Sequence, residues 1–194
     1  NYGEAKGYYS RAISVLEGSK SESLISDILN NMGIIAFEEG EYDESLDYHM
    51  RSLNNREQSG NQRGTATSFT NIGDVYAAQE AFAKALEFQQ KAFDIQEELG
   101  DKKGMLSSLK GIGTVLSLTG KNDEALVYMK EVLDIATEIG AKKEQRDTYN
   151  DISNIYTRMG DYQRALKYKG RYAQLKDTLF SEQTTEIATN MEAK

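Results

Sequence analysis

The fold of this chain is decided by one stretch of sequence that recurs along it. Residues 69–86 are FTNIGDVYAAQEAFAKAL, and residues 149–166 are YNDISNIYTRMGDYQRAL. A shift of forty residues brings four such stretches into register. A small residue, a leucine and an aromatic ring then recur, at Gly33, Gly73, Gly113 and Ser153, at Leu46, Leu86, Leu126 and Leu166, and at Tyr48, Phe88, Tyr128 and Tyr168. Repeats of this length indicate a solenoid with two helices in each unit.

The spacing of apolar residues predicts where the helices lie. In the second repeat Phe69, Ile72 and Tyr76 follow one another at three- and four-residue steps, which is typical of one helix face. Glycine separates most of the helices, but Glu80 takes that position in one turn, where we expect a small energetic cost. The pattern predicts nine helices, one orphan followed by four full pairs, at 2–18, 22–39, 43–58, 62–79, 83–98, 103–119, 122–138, 142–159 and 162–178.

The same pattern predicts how the chain is organised. Residues 1–19 are expected to be the second helix of a truncated repeat, so the chain is expected to be part of a longer protein. Complete repeats are predicted at 20–59, 60–99, 100–139 and 140–179. The remaining residues, 180–194, are predicted to form a helical cap or a connector.

Composition restricts the class of protein. Hydrophobic residues make up 39% of the chain and charged residues 28%, which favours a folded, soluble protein over a disordered segment. The net charge of −8 argues against nucleic acid as a partner, because binding to phosphates needs clustered lysine and arginine. The absence of cysteine excludes disulfides and leaves cytoplasm and periplasm equally open. No apolar run approaches the roughly 20 residues of a membrane span.

No pattern typical of an enzyme is present. The only histidine, His49, takes a position that glutamine, methionine and lysine take in the other repeats, so we expect a partly exposed helical histidine rather than a ligand or a base. The carboxylates between Glu38 and Glu44 cluster at a turn and a helix start, where they favour the helix dipole. Neither a phosphate-binding loop nor a zinc-protease motif occurs. We therefore expect no catalysis, no cofactor and no metal.

These residues resemble the tetratricopeptide repeat family. Its pattern of a large residue, an aliphatic–glycine pair, an aromatic and a later alanine is matched by Phe69, Ile72-Gly73, Tyr76 and Ala85. The resemblance covers nearly the whole chain and implies an all-α, right-handed superhelical solenoid that binds proteins or peptides. The forty-residue period is longer than the usual 34 residues and is similar to repeats in kinesin light chains and in bacterial signalling proteins.

The resemblance also indicates where a partner would bind. In this family a stripe on the first helix of each pair faces the concave groove. Asparagines there can pair with the backbone of an extended peptide, because an amide both donates and accepts hydrogen bonds; the alternative is that they are simply solvated. The predicted peptide-binding residues are Asn30, Phe37, Asn71, Asp74, Lys110, Asn150, Asn154 and Arg158. Because Lys110 is the only lysine of the stripe, a ligand held by its C-terminal carboxylate is disfavoured.

The C-terminal segment has one apolar edge on an otherwise polar helix. Leu175, Leu179, Ile187 and Met191 form this edge, and Gln183 interrupts it. One hypothesis is a cap folded back on the last pair, as terminal repeats require. A second is a connector that pairs with its copy in another chain, and a third is an end frayed by truncation. The segment is similar to the end of the repeat region in bacterial sensor histidine kinases.

Together these observations predict a protein- or peptide-binding module, the sensor or scaffolding region of a larger bacterial signal-transduction protein. The alternative is a structural assembly scaffold that uses its ends and its convex surface. Apolar faces on both terminal helices would allow such self-association.

Overall fold

The computed structural model describes residues 2–16 and 21–192. These residues contain nine α-helices and no strand, which confirms the predicted all-α fold with one orphan helix and four pairs. The helices are α1 (Tyr2–Leu16), α2 (Glu22–Glu38), α3 (Tyr42–Gln58), α4 (Gln62–Ala78), α5 (Phe82–Glu98), α6 (Lys102–Leu118), α7 (Asn122–Glu138), α8 (Lys142–Arg158) and α9 (Tyr162–Glu192). The bounds of α2 to α8 agree with the sequence prediction to within one residue. The predicted end of the first helix, at residue 18, lies outside the described residues.

One turn geometry separates successive helices. At the end of α2, Gly40 has φ +81°. Its N–H donates to the carbonyl of Phe37 at 3.0 Å, and the N–H of Glu41 donates to that of Ala36 at 2.9 Å. These two hydrogen bonds satisfy carbonyls that the end of the helix leaves without partners. Glu80 adopts the same left-handed conformation, with φ +58°, although it carries a side chain.

The chain divides into two compact units, the first ending at Gly111 and the second beginning at Ile112, both within α6. In the first unit α2 packs on α3, α4 packs on α3 and α5, and α1 contacts α2. The buried apolar side chains of this unit include Leu29, Met32, Ala36, Ala66, Ile72, Val75, Ala85 and Ala92. The ring of Phe88 on α5 lies 5.8 Å from that of Phe69 and 5.5 Å from that of Tyr76, so aromatic contacts join the two helices of the pair.

In the second unit α8 packs on α7 and on α9. Its buried apolar side chains include Val115, Leu126, Met129, Val132, Ile152, Ile155 and Tyr156. Tyr156 stacks on Tyr168 of α9 with ring centroids 5.6 Å apart. Ser153 takes the place that glycine has in the other repeats, and its Oγ donates to the carbonyl of Ala165 at 2.9 Å. A small residue at this position therefore allows α8 and α9 to approach closely.

The last helix is longer than predicted. α9 continues without a break to Glu192, because no glycine or proline follows Gly170 to stop it. Its large apolar side chains Phe180, Ile187 and Met191 are 70%, 61% and 74% exposed. Residues up to 192 therefore do not fold back as a cap on the last pair. The connector and the division into repeats stay predictions.

Candidate functional site

Five of the predicted residues come together in the first unit, on the side formed by the first helices of its pairs. We call this side the first groove face and define it by Asn30, Phe37, Asn71, Asp74 and Lys110. Asn71 on α4 donates from Nδ2 to Oδ1 of Asn30 on α2 at 2.7 Å. Neither amide has another hydrogen-bond partner in residues 2–16 and 21–192, so a donor on Asn30 and an acceptor on Asn71 remain open.

A cavity of about 220 Å³ opens beside this amide pair. It is lined by Ile34, Phe37, Glu38, His49, Asn71, Asp74 and Val75. Desolvation by the surrounding protein atoms raises the pKa of Asp74 to about 6, although a hydrogen bond from Gln89 and the charge of Lys110 act in the opposite direction. The residue itself is exposed because the cavity is open on one side, and the solvent there limits this effect.

Gln89 holds the carboxylate of Asp74 and is not among the residues that the sequence predicts for the site. Its Nε2 donates to Oδ1 of Asp74 at 2.7 Å and to the carbonyl of Thr70 at 3.2 Å. The side chain is 1% exposed and occupies space left by two glycines. A Cβ at Gly73 would lie 2.9 Å from it, and a Cβ at Gly111 would lie 2.5 Å from it. The pair of glycines was the available signal for this residue.

The prediction of a partly exposed His49 is wrong, because the side chain is only 1% exposed. The imidazole fills the space opposite Gly33, where a Cβ would lie 2.6 Å from its Cε1. Burial, together with the positive charge of Arg56, lowers the pKa of His49 to about 4, so the ring is neutral at neutral pH. His49 lines the cavity, and its buried Nδ1 has no hydrogen-bond partner within the described part of the chain.

The remaining predicted residues lie in the second unit, and we call their surface the second groove face, defined by Asn150, Asn154 and Arg158. Nη1 of Arg158 donates to Oγ of Ser117 at 2.7 Å, and Oδ1 of Asn150 accepts from Nζ of Lys169 at 2.8 Å. Asn154 and Arg158 line a cavity of about 80 Å³. Among the residues that the structure describes, Arg158 has no carboxylate partner, so its charge can serve a ligand.

Lys169 extends this second face and was not among the predicted residues. It takes the repeat position that His49 and Gln89 have in the first unit, but it is exposed. Together with Asn154 it lines a shallow depression of about 380 Å³. The repeat position that His49, Gln89 and Lys169 share thus supplies a side chain to each groove face.

Metal and membrane sites find no support in the described ranges. Residues 2–16 and 21–192 hold no group of three histidine, aspartate or glutamate side chains that could bind a metal ion. No helix in those ranges is both long and apolar enough to span a membrane.

A family model for the tetratricopeptide repeat matches residues 24–98 and 104–176. The chain belongs to the tetratricopeptide repeat family. Tetratricopeptide repeats form a protein-interaction fold, and the helix pairs of this chain are such repeats. No curated protein matches the chain in sequence.

Solved structures with this fold share little sequence with the chain. BtubC (BKLC) from P. vanneervenii has a TM-score of 0.80 at 16% identity, over 92% of this chain and 74% of its own. TPR-like repeats of a Podosopora anserina kinesin light chain have a TM-score of 0.73 at 13% identity, over 93% of this chain and 89% of theirs. A Rap protein complexed with competence and sporulation factor has a TM-score of 0.79 at 18% identity, over 87% of this chain and 47% of its own. At these identities the likeness concerns the fold alone.

Proposed function

We propose that this tetratricopeptide chain binds an extended peptide, or a peptide segment of a partner protein, on its groove faces. The observation that carries the proposal is the Asn30–Asn71 amide pair, 2.7 Å apart, beside the cavity that contains Asp74. The pair offers one open donor and one open acceptor, which are the groups that an extended peptide backbone needs. Phe37 at the same cavity offers an apolar surface to a side chain of the ligand.

The second groove face supports the same function with a different charge. Asn150 and Asn154 again present amides, whereas Arg158 and Lys169 add positive charge. Guanidinium groups bind carboxylates through paired N–H donors. An acidic side chain of the ligand is therefore the expected occupant near Arg158.

We further propose that the chain is the sensor or scaffolding region of a bacterial signal-transduction protein and acts by binding rather than by catalysis. The forty-residue period supports this context, as does the likeness to the Rap protein complexed with competence and sporulation factor. The chain spans just under half of that Rap protein, 47% of its length.

A peptide selection tests the binding function. The immobilised chain is used to select from a random-peptide phage library, and the selected peptides are titrated against variants of each groove face. We expect the pair Asn30→Ala and Asn71→Ala, or the set Asn150→Ala, Asn154→Ala and Arg158→Ala, to weaken binding at least about tenfold, the effect of losing one or two hydrogen bonds. Asn54→Ala is the control, because Asn54 is an exposed asparagine on α3. Equal binding by all variants would contradict the proposal.

A structural assembly scaffold is the second candidate, and the exposed apolar side chains of the terminal helices favour it. Phe180 and Met191 on α9 are 70% and 74% exposed, and Tyr8 and Val15 on α1 are 70% and 80% exposed. Apolar side chains grouped in this way often mark contact surfaces. A chain shortened after Thr178 keeps both groove faces, so full peptide binding by this shortened chain would argue against the scaffold.

A further inference from the structure

The carboxylate of Asp74 is held in place on one side and open on the other. Oδ1 accepts the amide hydrogen bond from the buried Gln89 at 2.7 Å. Oδ2 has no hydrogen-bond partner, and the carboxylate forms no salt bridge within residues 2–16 and 21–192. Gln89 is buried, and its Nε2 also donates to the carbonyl of Thr70 at 3.2 Å. This second hydrogen bond holds the amide, and through it the carboxylate of Asp74, in a defined position at the cavity.

The other groups at this cavity favour a cation over an anion. Glu38 adds a second negative charge to that of Asp74. His49 is 1% exposed and stays neutral at neutral pH, so it does not repel a positive charge, and its buried Nδ1 lacks a partner in the part of the chain described. An anionic group would meet Asp74 and Glu38 with no positive charge among the lining residues. Lys110 lies outside the lining, but its positive charge acts on Asp74, so a bound cation would share that carboxylate with Lys110.

The walls of the cavity indicate which kind of group would carry the cation. Ile34, Phe37 and Val75 line it with apolar surface, which suits an alkyl stem. A volume of about 220 Å³ is far larger than the roughly 10–15 Å³ that one water molecule needs. A group with an apolar stem and a charged end therefore fits better than an inorganic ion.

We propose that the cavity beside Asp74 binds the ammonium group of a peptide ligand, with the Asp74 carboxylate as its counter-ion and Gln89 holding that carboxylate in place. This inference rests on the proposed function, since it specifies the chemistry of one ligand residue. The cation comes from a lysine side chain or from the peptide N-terminus.

Carboxylate-detected ¹³C NMR on the full chain tests this site with small probes. N-acetyl-lysinamide supplies a side-chain ammonium group, alaninamide supplies an α-ammonium group, and N-acetyl-norleucinamide has a similar stem without charge. We expect one of the two ammonium probes to shift the Asp74 carboxyl resonance with an affinity about tenfold higher than the uncharged probe, as a charge-assisted hydrogen bond provides. Whichever ammonium probe binds identifies the source of the cation.

Asp94 provides a matched control within the same unit. Its Oδ1 also accepts a glutamine amide, from Gln90 at 2.7 Å, but it lies outside the cavity. Asp74→Asn should abolish the shift of cavity signals from Phe37 and Val75, and Asp94→Asn should leave that shift unchanged. Equal responses of Asp74 and Asp94 to all three probes would overturn the proposal.

The two proposals fail separately. If selected peptides bind through the Asn30–Asn71 pair but neither ammonium probe prefers Asp74, the cation site is wrong and peptide binding stands. If an ammonium probe binds at Asp74 while the selection yields no peptide, the cation site stands and peptide binding is wrong.

Discussion

At the scale of single residues, the space opposite a small residue decides which side chain reaches the groove face. In three repeats a glycine faces a large residue: Gly33 faces His49, Gly73 faces Gln89 and Gly113 faces Met129. Each large residue is 1% exposed. Because a polar residue in this slot adjoins the cavity, the packing of the repeat and the chemistry of the site are coupled.

Adding one methyl group at Gly33 tests this packing. The Cβ of Gly33→Ala would lie 2.6 Å from the buried imidazole of His49, which must then shift. We expect the free energy of unfolding to fall by about 1–3 kcal/mol, as overpacking of a core does. Gly170→Ala on α9 is the control, because nothing lies within 4 Å of its Cβ, and it should be neutral or slightly stabilising. Urea unfolding followed by circular dichroism measures both; equal effects would contradict this packing.

The neutral, buried His49 predicts a pH dependence of stability. The pKa of His49 is about 4 in the folded protein and about 6.5 in an unfolded chain, so between these values only the unfolded chain binds the proton. The contribution of neutral His49 to the free energy of unfolding is therefore complete above about pH 6.5 and decreases as the pH falls towards 4. Between about pH 7.5 and about pH 5, the free energy of unfolding of the wild type should fall by about 2 kcal/mol more than that of His49→Gln.

The comparison with His49→Gln isolates this one group. Glutamine is the residue that the second repeat carries in the same slot, as Gln89. The raised pKa of Asp74 acts in the opposite direction, since it lets the folded protein bind a proton first, but Asp74 is present in both proteins. Urea unfolding at both pH values gives the difference. A wild type and a variant with the same pH dependence would show that His49 is not buried as described.

The sequence indicates candidate site residues on the helix surface but not the buried side chains that contact them. Asn30 and Asp74 were predicted because they occupy a stripe on the first helix of a pair, and Asn71 because it lies beside that stripe. Their role in binding stays a prediction. His49 and Gln89 were not recognised as neighbours of the site, because the residue type at their shared repeat position differs between repeats. Their burial depends on the glycines opposite, and this is a three-dimensional fit that periodicity does not encode.

At the scale of elements, the turn between the two helices of a pair depends on one left-handed residue. Three of the six glycines with positive φ, Gly40, Gly120 and Gly160, have this role, and Glu80 has it in the remaining pair with φ +58°. The other three glycines lie in the turns between successive pairs. The glycine positions made the helix ends predictable. The length of α9 was not predictable in the same way. Its apolar edge suggested packing against the last helix pair, but the side chains of this edge near the end of the helix are exposed.

Relieving the strain at Glu80 should stabilise the first unit. A residue with a Cβ costs about 1–2 kcal/mol in the left-handed conformation, and glycine avoids this cost. We expect Glu80→Gly to raise the free energy of unfolding by about 1 kcal/mol. Gly120→Glu, at the equivalent turn with φ +81°, should lower it by a similar amount. Thermal unfolding of both variants checks the prediction, and a destabilised Glu80→Gly would contradict it.

The end of α9 should contribute little to the stability of the fold. Residues 180–191 are exposed, and Leu179 just before them is half-buried, so shortening the chain after Thr178 removes little buried surface. We expect an unchanged melting temperature for the shortened chain. Tyr168→Ala, which removes a ring stacked 5.6 Å from Tyr156, should by contrast lower stability by at least about 1 kcal/mol. A large loss on shortening would show that the tail packs on the last pair after all.

At the scale of the whole molecule, an acidic chain with a net charge of −8 carries two groove faces of different character. The first combines amides with Asp74 and a neutral imidazole, and the second combines amides with Arg158 and Lys169. The family predicted protein binding, but only the structure separates the two chemistries. In the first unit this repeat position holds the buried His49 and Gln89, whereas in the second unit it holds the buried Met129 and the exposed Lys169.

The most direct test of peptide binding on the groove faces is NMR mapping with a selected peptide. The ¹H–¹⁵N side-chain amide signals of Asn30, Asn71, Asn150 and Asn154 are followed during a titration, with the exposed Asn54 as the internal reference. We expect the asparagines of at least one groove face, Asn30 with Asn71 or Asn150 with Asn154, to shift with one dissociation constant while Asn54 stays constant. Shifts confined to Asn54 and to the exposed faces of α3, α5 and α9 would contradict the account.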